Sequence, residues 1–287
     1  TISGGDFTGN TIAGNYIGVS SNGTGDVGNG TTGINLSVGA NNNTIGGTTS
    51  ASTNVISGNT GNGIEIVDDT TDSNVVMGNY IGTDYTGATA LANSSGIYLA
   101  LDVTLNVIGG DIAGERNIIS GNTGNGVSLN VDVVSNTVSG NYIGTALNGT
   151  TDLGNGGDGV ALANASNTNT IGGDATTGER NIISGNSGYG VNIGSGSLTN
   201  IVSGNYIGTD VNGTVDVGND NDGVVISAGS NTNTIGGDTT GERNVISGNN
   251  DDGITISQSD SNIVTGNYIG TDVNGTADLG NSSQVIS

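Results

Sequence analysis

Carboxylates are the only abundant groups in this chain that can move protons. The sequence of 287 residues holds 26 Asp and Glu against three basic residues, all arginines, and contains no His. Acids stand close together at Asp68 and Asp69, at Asp220 and Asp222, and at Asp251 and Asp252. Two neighbouring carboxyls are the minimum apparatus for glycoside hydrolysis, one protonated as the acid and one ionised as base or nucleophile. On turns, however, acids most often serve only to be solvated, and that reading is preferred here.

The basic residues recur too regularly to be catalytic. Arg116, Arg180 and Arg243 each occupy the string Gly-Glu-Arg-Asn, preceded by Glu115, Glu179 and Glu242. A catalytic group is normally singular, so a repeated Arg–carboxylate tie is expected, worth little if exposed. Two other segments, TDVNGTVDVGNDND from Thr209 and TDVNGTADLGN from Thr271, space their acids as calcium loops do. They make Asp210, Asp216, Asp220, Asp222, Asp272 and Asp278 candidate calcium ligands. The match lacks the terminal Glu, and the earlier copies carry Ser20, Asp84 and Ala146 where these carry Asp210 and Asp272. A turn-rich loop with acids chosen for solubility competes with the metal reading.

An internal repeat determines what positions these groups. GNYIG begins at Gly14, Gly78, Gly140, Gly204 and Gly266, and a related string, Asn-Val/Ile-Ile-Ser-Gly-Asn, begins between them at Asn54, Asn117, Asn181 and Asn244. Aligned, they give an Asn column at Asn15, Asn54, Asn79, Asn117, Asn141, Asn181, Asn205, Asn244 and Asn267. Two residues on runs an Ile column: Ile17, Ile56, Ile81, Ile119, Ile143, Ile183, Ile207, Ile246 and Ile269. A second column alternates Ile and Val from Ile12 to Val264, and a third consists of pairs such as Ile64 and Ile66.

Short apolar strands of period two, bounded by Gly and Asn, predict an all-β solenoid: a right-handed parallel β-helix of about nine coils with three short strands per coil. Nine coils at roughly 4.8 Å make a rod roughly 43 Å long. The reading covers residues 1–287 as one domain, a mature form or a segment of a longer repeat protein. The columns of aliphatic side chains would fill the bore, and the Asn columns would run amide hydrogen bonds along the axis. Thr1 and Ile2 fall in the first strand column and Val285 to Ser287 in the same column nine coils later, so open coil ends are expected to invite end-to-end pairing.

Between Asn and Ile lies a position that alternation points outward. Its occupants include Tyr16, Tyr80, Tyr142, Tyr206 and Tyr268, alternating with Val or Ile, which makes an apolar stripe. Insertions folding back with Val27, Leu91, Leu153, Val217 and Leu279 as lids are expected to cover it. Left open, it would pack rods laterally or stack sugar rings. No flat threonine array of the ice-binding kind exists, since the outward position of the first strand reads Asn35, Glu65, Tyr98, Ser128, Ala161, Asn192, Val225 and Thr255.

GNYIGTDVNGTVDVGNDNDGV from Gly204, NTIGGDTTGERNVISGN from Asn233 and their earlier copies resemble the bacterial right-handed parallel β-helix repeat proteins of the pectate-lyase-like superfamily, over essentially the whole chain. The resemblance implies an extracellular or cell-surface location and specifies fold more strongly than function. Polysaccharide lyases of this kind use a basic residue and often calcium, and pectin-type glycosidases usually use a histidine, which this chain lacks.

A formal charge of −23 opposes binding to nucleic acid or an anionic membrane. No apolar run is long enough to cross a bilayer, so no membrane insertion is expected. Together these features predict a non-enzymatic structural or adhesive module, stacking into a surface stalk or filament, whose partners are copies of itself or surface polysaccharide. The alternative is a carbohydrate-active hydrolase or lyase. No cofactor beyond calcium is expected.

Overall fold

Strands of two to four residues are all that each coil can support, because glycines and asparagines at the corners break every extended run. A computed structural model describes residues 1–4 and 7–287, and among them the chain winds into three parallel sheets of nine strands each. Each coil contributes one strand to each sheet. Sheet 1 runs from Ile2–Ser3 through Val160–Ala163 to Ile254–Ile256. Sheet 2 runs from Thr11–Ile12 to Ile263–Thr265, and sheet 3 from Tyr16–Ile17 to Tyr268–Ile269.

The register is the one that the Ile column requires. Ile119 pairs with Ile81 on one side and Ile143 on the other, and the column continues without a slip from Ile17 to Ile269. From Ile56 to Ile246 these side chains are fully buried, and Ile17 and Ile269 at the two ends pack half-buried against the same core. Burying one such side chain stabilises by roughly 1.5–3 kcal/mol. A parallel stack therefore holds each coil mainly through its two neighbours.

The expected Asn column forms a hydrogen-bonded ladder. Asn141 donates its backbone N–H and its side-chain amide to Asn181 Oδ1, at 2.9 and 3.1 Å, and the pattern repeats from Asn15 to Asn267. Two further ladders occupy the remaining corners. One climbs from Asn10 through Asn43, Asn74 and Asn106 to Asn262, and the other from Asn29 through Asn59, Asn93 and Asn122 to Asn281. Each amide satisfies a backbone group that the corner would otherwise bury unpaired.

Five long coils carry an insertion after sheet 3, closed by isolated antiparallel bridges such as Thr209 to Asp216 and Thr271 to Asp278. Gly213, at φ +67°, lets this loop lie directly on Tyr206 and Val273, where a side chain would collide with both. The last sheet-1 register differs by one residue from the repeat expectation: Ile286 bridges Ile254, so Ser287 stands beside Thr255 rather than Ile256.

Candidate functional site

The turn that enters sheet 1 carries a column of side chains whose character changes along the rod. It reads Thr32, Asn62, Ser95 and Asn125, then Asp158, Tyr189, Asp222 and Asp252 in four consecutive coils, then Gln284. In the neutral part, Asn125 Oδ1 accepts the backbone N–H of Asp158 at 2.8 Å. The acids inherit that geometry. Asp158 Oδ1 accepts the N–H of Tyr189 at 3.0 Å, Asp222 Oδ1 that of Asp252 at 3.0 Å, and Asp252 Oδ1 that of Gln284 at 2.6 Å. The second oxygens of Asp158 and Asp252 face the sheet-1 side, where Asn192 donates to Asp158 Oδ2 and the Thr255 hydroxyl to Asp252 Oδ2.

Crowding splits the protonation of these groups. Burial raises the Asp222 carboxyl above its ordinary value of 3.8, and the charges of Asp251 and Asp252 add to the effect. Asp252 moves the other way, because the Ser287 hydroxyl and the amides and hydroxyls of Gln284 and Ser283 stabilise its anion. Tyr189 is raised first by burial and then by Asp222, Asp158 and Asp251, so every charge acting on it is a carboxylate. Neighbouring acids shifted in opposite directions are the pattern that general acid–base chemistry uses. The sequence already pairs Asp220 with Asp222 and Asp251 with Asp252, but the hydrogen bond runs between coils, from the Asp252 N–H to Asp222 Oδ1. Tyr189 and Asp158 were legible only as members of a turn column.

The candidate calcium ligands do not converge. No group of three carboxylates able to hold a metal exists among the described residues. The acids instead hold their own loops. Asp210 Oδ1 accepts the N–H groups of Thr214 and Val215 at 2.9 and 3.0 Å, and Asn212 donates to its Oδ2. Asp272 does the same with Thr276, Ala277 and Asn274, and these amides hold its carboxyl down to about 2. Partial burial works against ionisation of Asp210, but its amide donors overcome it and lower the carboxyl. Asp216 and Asp278 accept the N–H groups of Gly218 and Gly280, and Asp220 accepts the amide of Asn250.

The expected Arg–Glu tie is also replaced. Glu115 Oε2 accepts the N–H of Asp111 at 3.0 Å, and Glu242 Oε2 that of Thr239 at 2.9 Å, each closing its own loop. The guanidinium groups of Arg116, Arg180 and Arg243 instead lie over the rings of Tyr142, Tyr206 and Tyr268 in the next coil, at 4.2, 3.9 and 4.1 Å from the ring centres. A cation over an aromatic face gains more than an exposed ion pair. Their Nε atoms donate to the carbonyls of Gly140, Gly204 and Gly266.

Through this stacking most of the tyrosine stripe is covered. Ile118, Tyr142, Ile182, Tyr206 and Val245 form a second buried cluster, with Tyr80, Val211, Tyr268 and Val273 packed against it. Tyr142 is 6% and Tyr206 4% exposed, whereas Tyr16 is 45% exposed. The covering residues are Val211 and Val273 at the loop tips rather than Val27, Leu91, Leu153, Val217 and Leu279. Those five belong to the returning limb of each insertion, where Val27 is largely exposed and the others half-buried.

The coil architecture and three-sheet stack are those of a parallel β-helix. Among solved structures, the chain is similar to the crystal structure of an alginate lyase from Paenibacillus sp. str. FPU-7, with 15% sequence identity, a TM-score of 0.51, and 98% of each chain covered. No family model and no curated protein matches the chain. The expectation of a non-enzymatic module is corrected by this similarity, since a protein sharing the fold over 98% of each chain is an alginate lyase. No helix among the described residues is long and apolar enough to cross a membrane.

Proposed function

We propose that the protein is a carbohydrate-active enzyme that cleaves polysaccharide by hydrolysis at the turn column of sheet 1. The observation that carries this reading is the pair Asp222 and Asp252, linked between coils by the Asp252 backbone N–H and displaced in opposite directions from the ordinary carboxylate value. Asp222, the carboxyl with the raised value, delivers its proton to the glycosidic oxygen as the C–O bond breaks. Asp252, held ionised, takes a proton from the water that adds to the anomeric carbon. The similarity of the fold to that of an alginate lyase supports this use of it. A polysaccharide substrate agrees with an extracellular location.

A second reading, β-elimination of a uronate polymer, is supported by the same similarity to an alginate lyase. Against it stands the all-carboxylate surrounding of Tyr189, which would repel a uronate.

The test is incubation of the intact chain with neutral and uronate polysaccharides, followed by mass analysis of the products. Hydrolysis gives products heavier by one water per cleavage, and elimination gives an unsaturated uronate end without added water. Asp222→Asn is expected to keep the fold, because Asn125 makes the same contact to Asp158, and to lose activity by about a hundred-fold or more. Absence of cleavage on every polymer, or full activity in Asp222→Asn, would overturn the proposal.

A further inference from the structure

The sheet-3 stripe is sealed by an arginine in every short coil but the first. Arg116, Arg180 and Arg243 each precede a ladder asparagine and cover the tyrosine of the next coil, but the residue preceding Asn54 is Thr53. Tyr80, in the coil that follows, is half-buried with no arginine over its ring. A cavity of about 230 Å³ occupies this gap, lined by Tyr16, Ser50, Thr53, Val55, Tyr80 and Tyr85. A second, of about 190 Å³, shares Ser50, Thr53 and Tyr80 with it and reaches Arg116 at its far end. The two form one groove.

The chemistry of the lining narrows the ligand. Three tyrosines offer aromatic faces, and Tyr16 and Tyr85 are 45% and 49% exposed. Gly23, at φ +70°, lets the Tyr16 and Tyr85 rings approach the same loop, since a side chain there would meet both. Ser50 and Thr53 add hydroxyls between the rings. No carboxylate lines either cavity, in a chain of formal charge −23. Aromatic faces beside hydroxyl groups suit a pyranose, whose C–H face stacks on a ring while its edge exchanges hydrogen bonds. A neutral sugar chain also escapes the long-range repulsion that an anionic one meets from the rest of the rod.

We infer that the groove between Tyr16, Tyr80 and Tyr85 is a binding site for a neutral pyranose chain. It lies on sheet 3 in the first coils, apart from the acids on the sheet-1 turn in the later ones, and binds without cleaving. The inference does not depend on hydrolysis at Asp222, and the test separates the two.

The intact chain is titrated with cellohexaose, mannohexaose and xylohexaose, following the tyrosine ring signals by NMR and the heat of binding by calorimetry. Thr53→Arg rebuilds in the first short coil the arrangement that the other three already have, so it folds while filling the groove. At least one hexaose is expected to bind the native chain and to shift the Tyr16, Tyr80 and Tyr85 signals. Thr53→Arg and Tyr80→Ala are each expected to weaken that binding at least ten-fold, and Asp222→Asn to leave it unchanged. The inference is overturned if no hexaose binds, if Thr53→Arg binds as tightly as the native chain, or if sedimentation shows the groove closed by a second copy that Thr53→Arg releases.

Discussion

Asp222 Oδ1 accepts the backbone N–H of Asp252 at 3.0 Å, across one coil step, in a position where the first four coils hold neutral side chains. That contact lets the turn column carry charge without losing its hydrogen bond to the next coil. It also brings together in consecutive coils two acids of opposite tendency. A repeat protein can host chemistry only where its repeat is broken, and this column breaks it over four consecutive coils.

The pH dependence of cleavage follows from the two directions. Activity requires Asp252 ionised and Asp222 protonated, so it rises as pH climbs through the lowered Asp252 value, below 3.8, and falls as pH passes the raised Asp222 value, above 3.8. A bell-shaped profile with an acidic optimum is expected from initial rates. Asp252→Asn should remove the acid limb and lower the rate at every pH.

Ladder asparagines in the middle of the rod should be worth more than those at its start. Asn141 Oδ1 accepts the backbone N–H and the side-chain amide of Asn117, and its own amide donates to Asn181 Oδ1 and to the carbonyls of Ile108 and Ser139. Asn141→Ala leaves several of these buried groups unpaired, at about 1–3 kcal/mol for each. A loss of about 3 kcal/mol or more is expected in denaturant unfolding. Asn15→Ala, at the exposed beginning of the same ladder, should lose less than about 1 kcal/mol.

Asp272 provides a pH-linked test of the loop acids. Its folded carboxyl sits at about 2 against an ordinary 3.8, so the stabilisation it gives is complete above 3.8 and is lost as pH falls through about 2. The Tm difference between the native chain and Asp272→Asn is expected to be constant at neutral pH and to shrink over that acidic interval. A difference independent of pH would mean that the Thr276 and Ala277 amides do not hold the anion.

The stacked arginines predict a loss that salt screens weakly. Arg180, half-buried over Tyr206, should cost about 1–2 kcal/mol on change to Ala, through its contact with the ring and through the apolar stem. Arg180→Lys should recover only part of it, since the flat guanidinium is what lies on the ring. Chevron or equilibrium unfolding at low and high salt measures both.

How far the sequence reveals this molecule depends on whether a residue meets its own copy or a stranger. Ile119 packs on Ile81 and Ile143, so identity down the column is itself the signal, and the three-strand coil follows from it. The Asn15 ladder is legible for the same reason. The ladder through Asn29, Asn59 and Asn93 is harder to see, because its members alternate between two local strings, Asp-x-Gly-Asn or its variants and Ser-Gly-Asn. Arg180 over Tyr206 joins unlike residues whose meeting depends on how an insertion folds, and spacing alone suggested the adjacent Glu179 instead. The contact of Asp222 with Asp252 was hidden because each looked like half of a sequence-adjacent pair, and a side-chain tie between consecutive coils leaves no local pattern.

Site-resolved titration of the aspartate carboxyl carbons by NMR addresses the acid and base assignment without any substrate. Asp222 is predicted to titrate above 3.8 and Asp252 below it, in the intact folded chain. If both carboxyls titrate together at the ordinary value, or in the reverse order, the turn column is only another structural ladder and the hydrolytic reading fails.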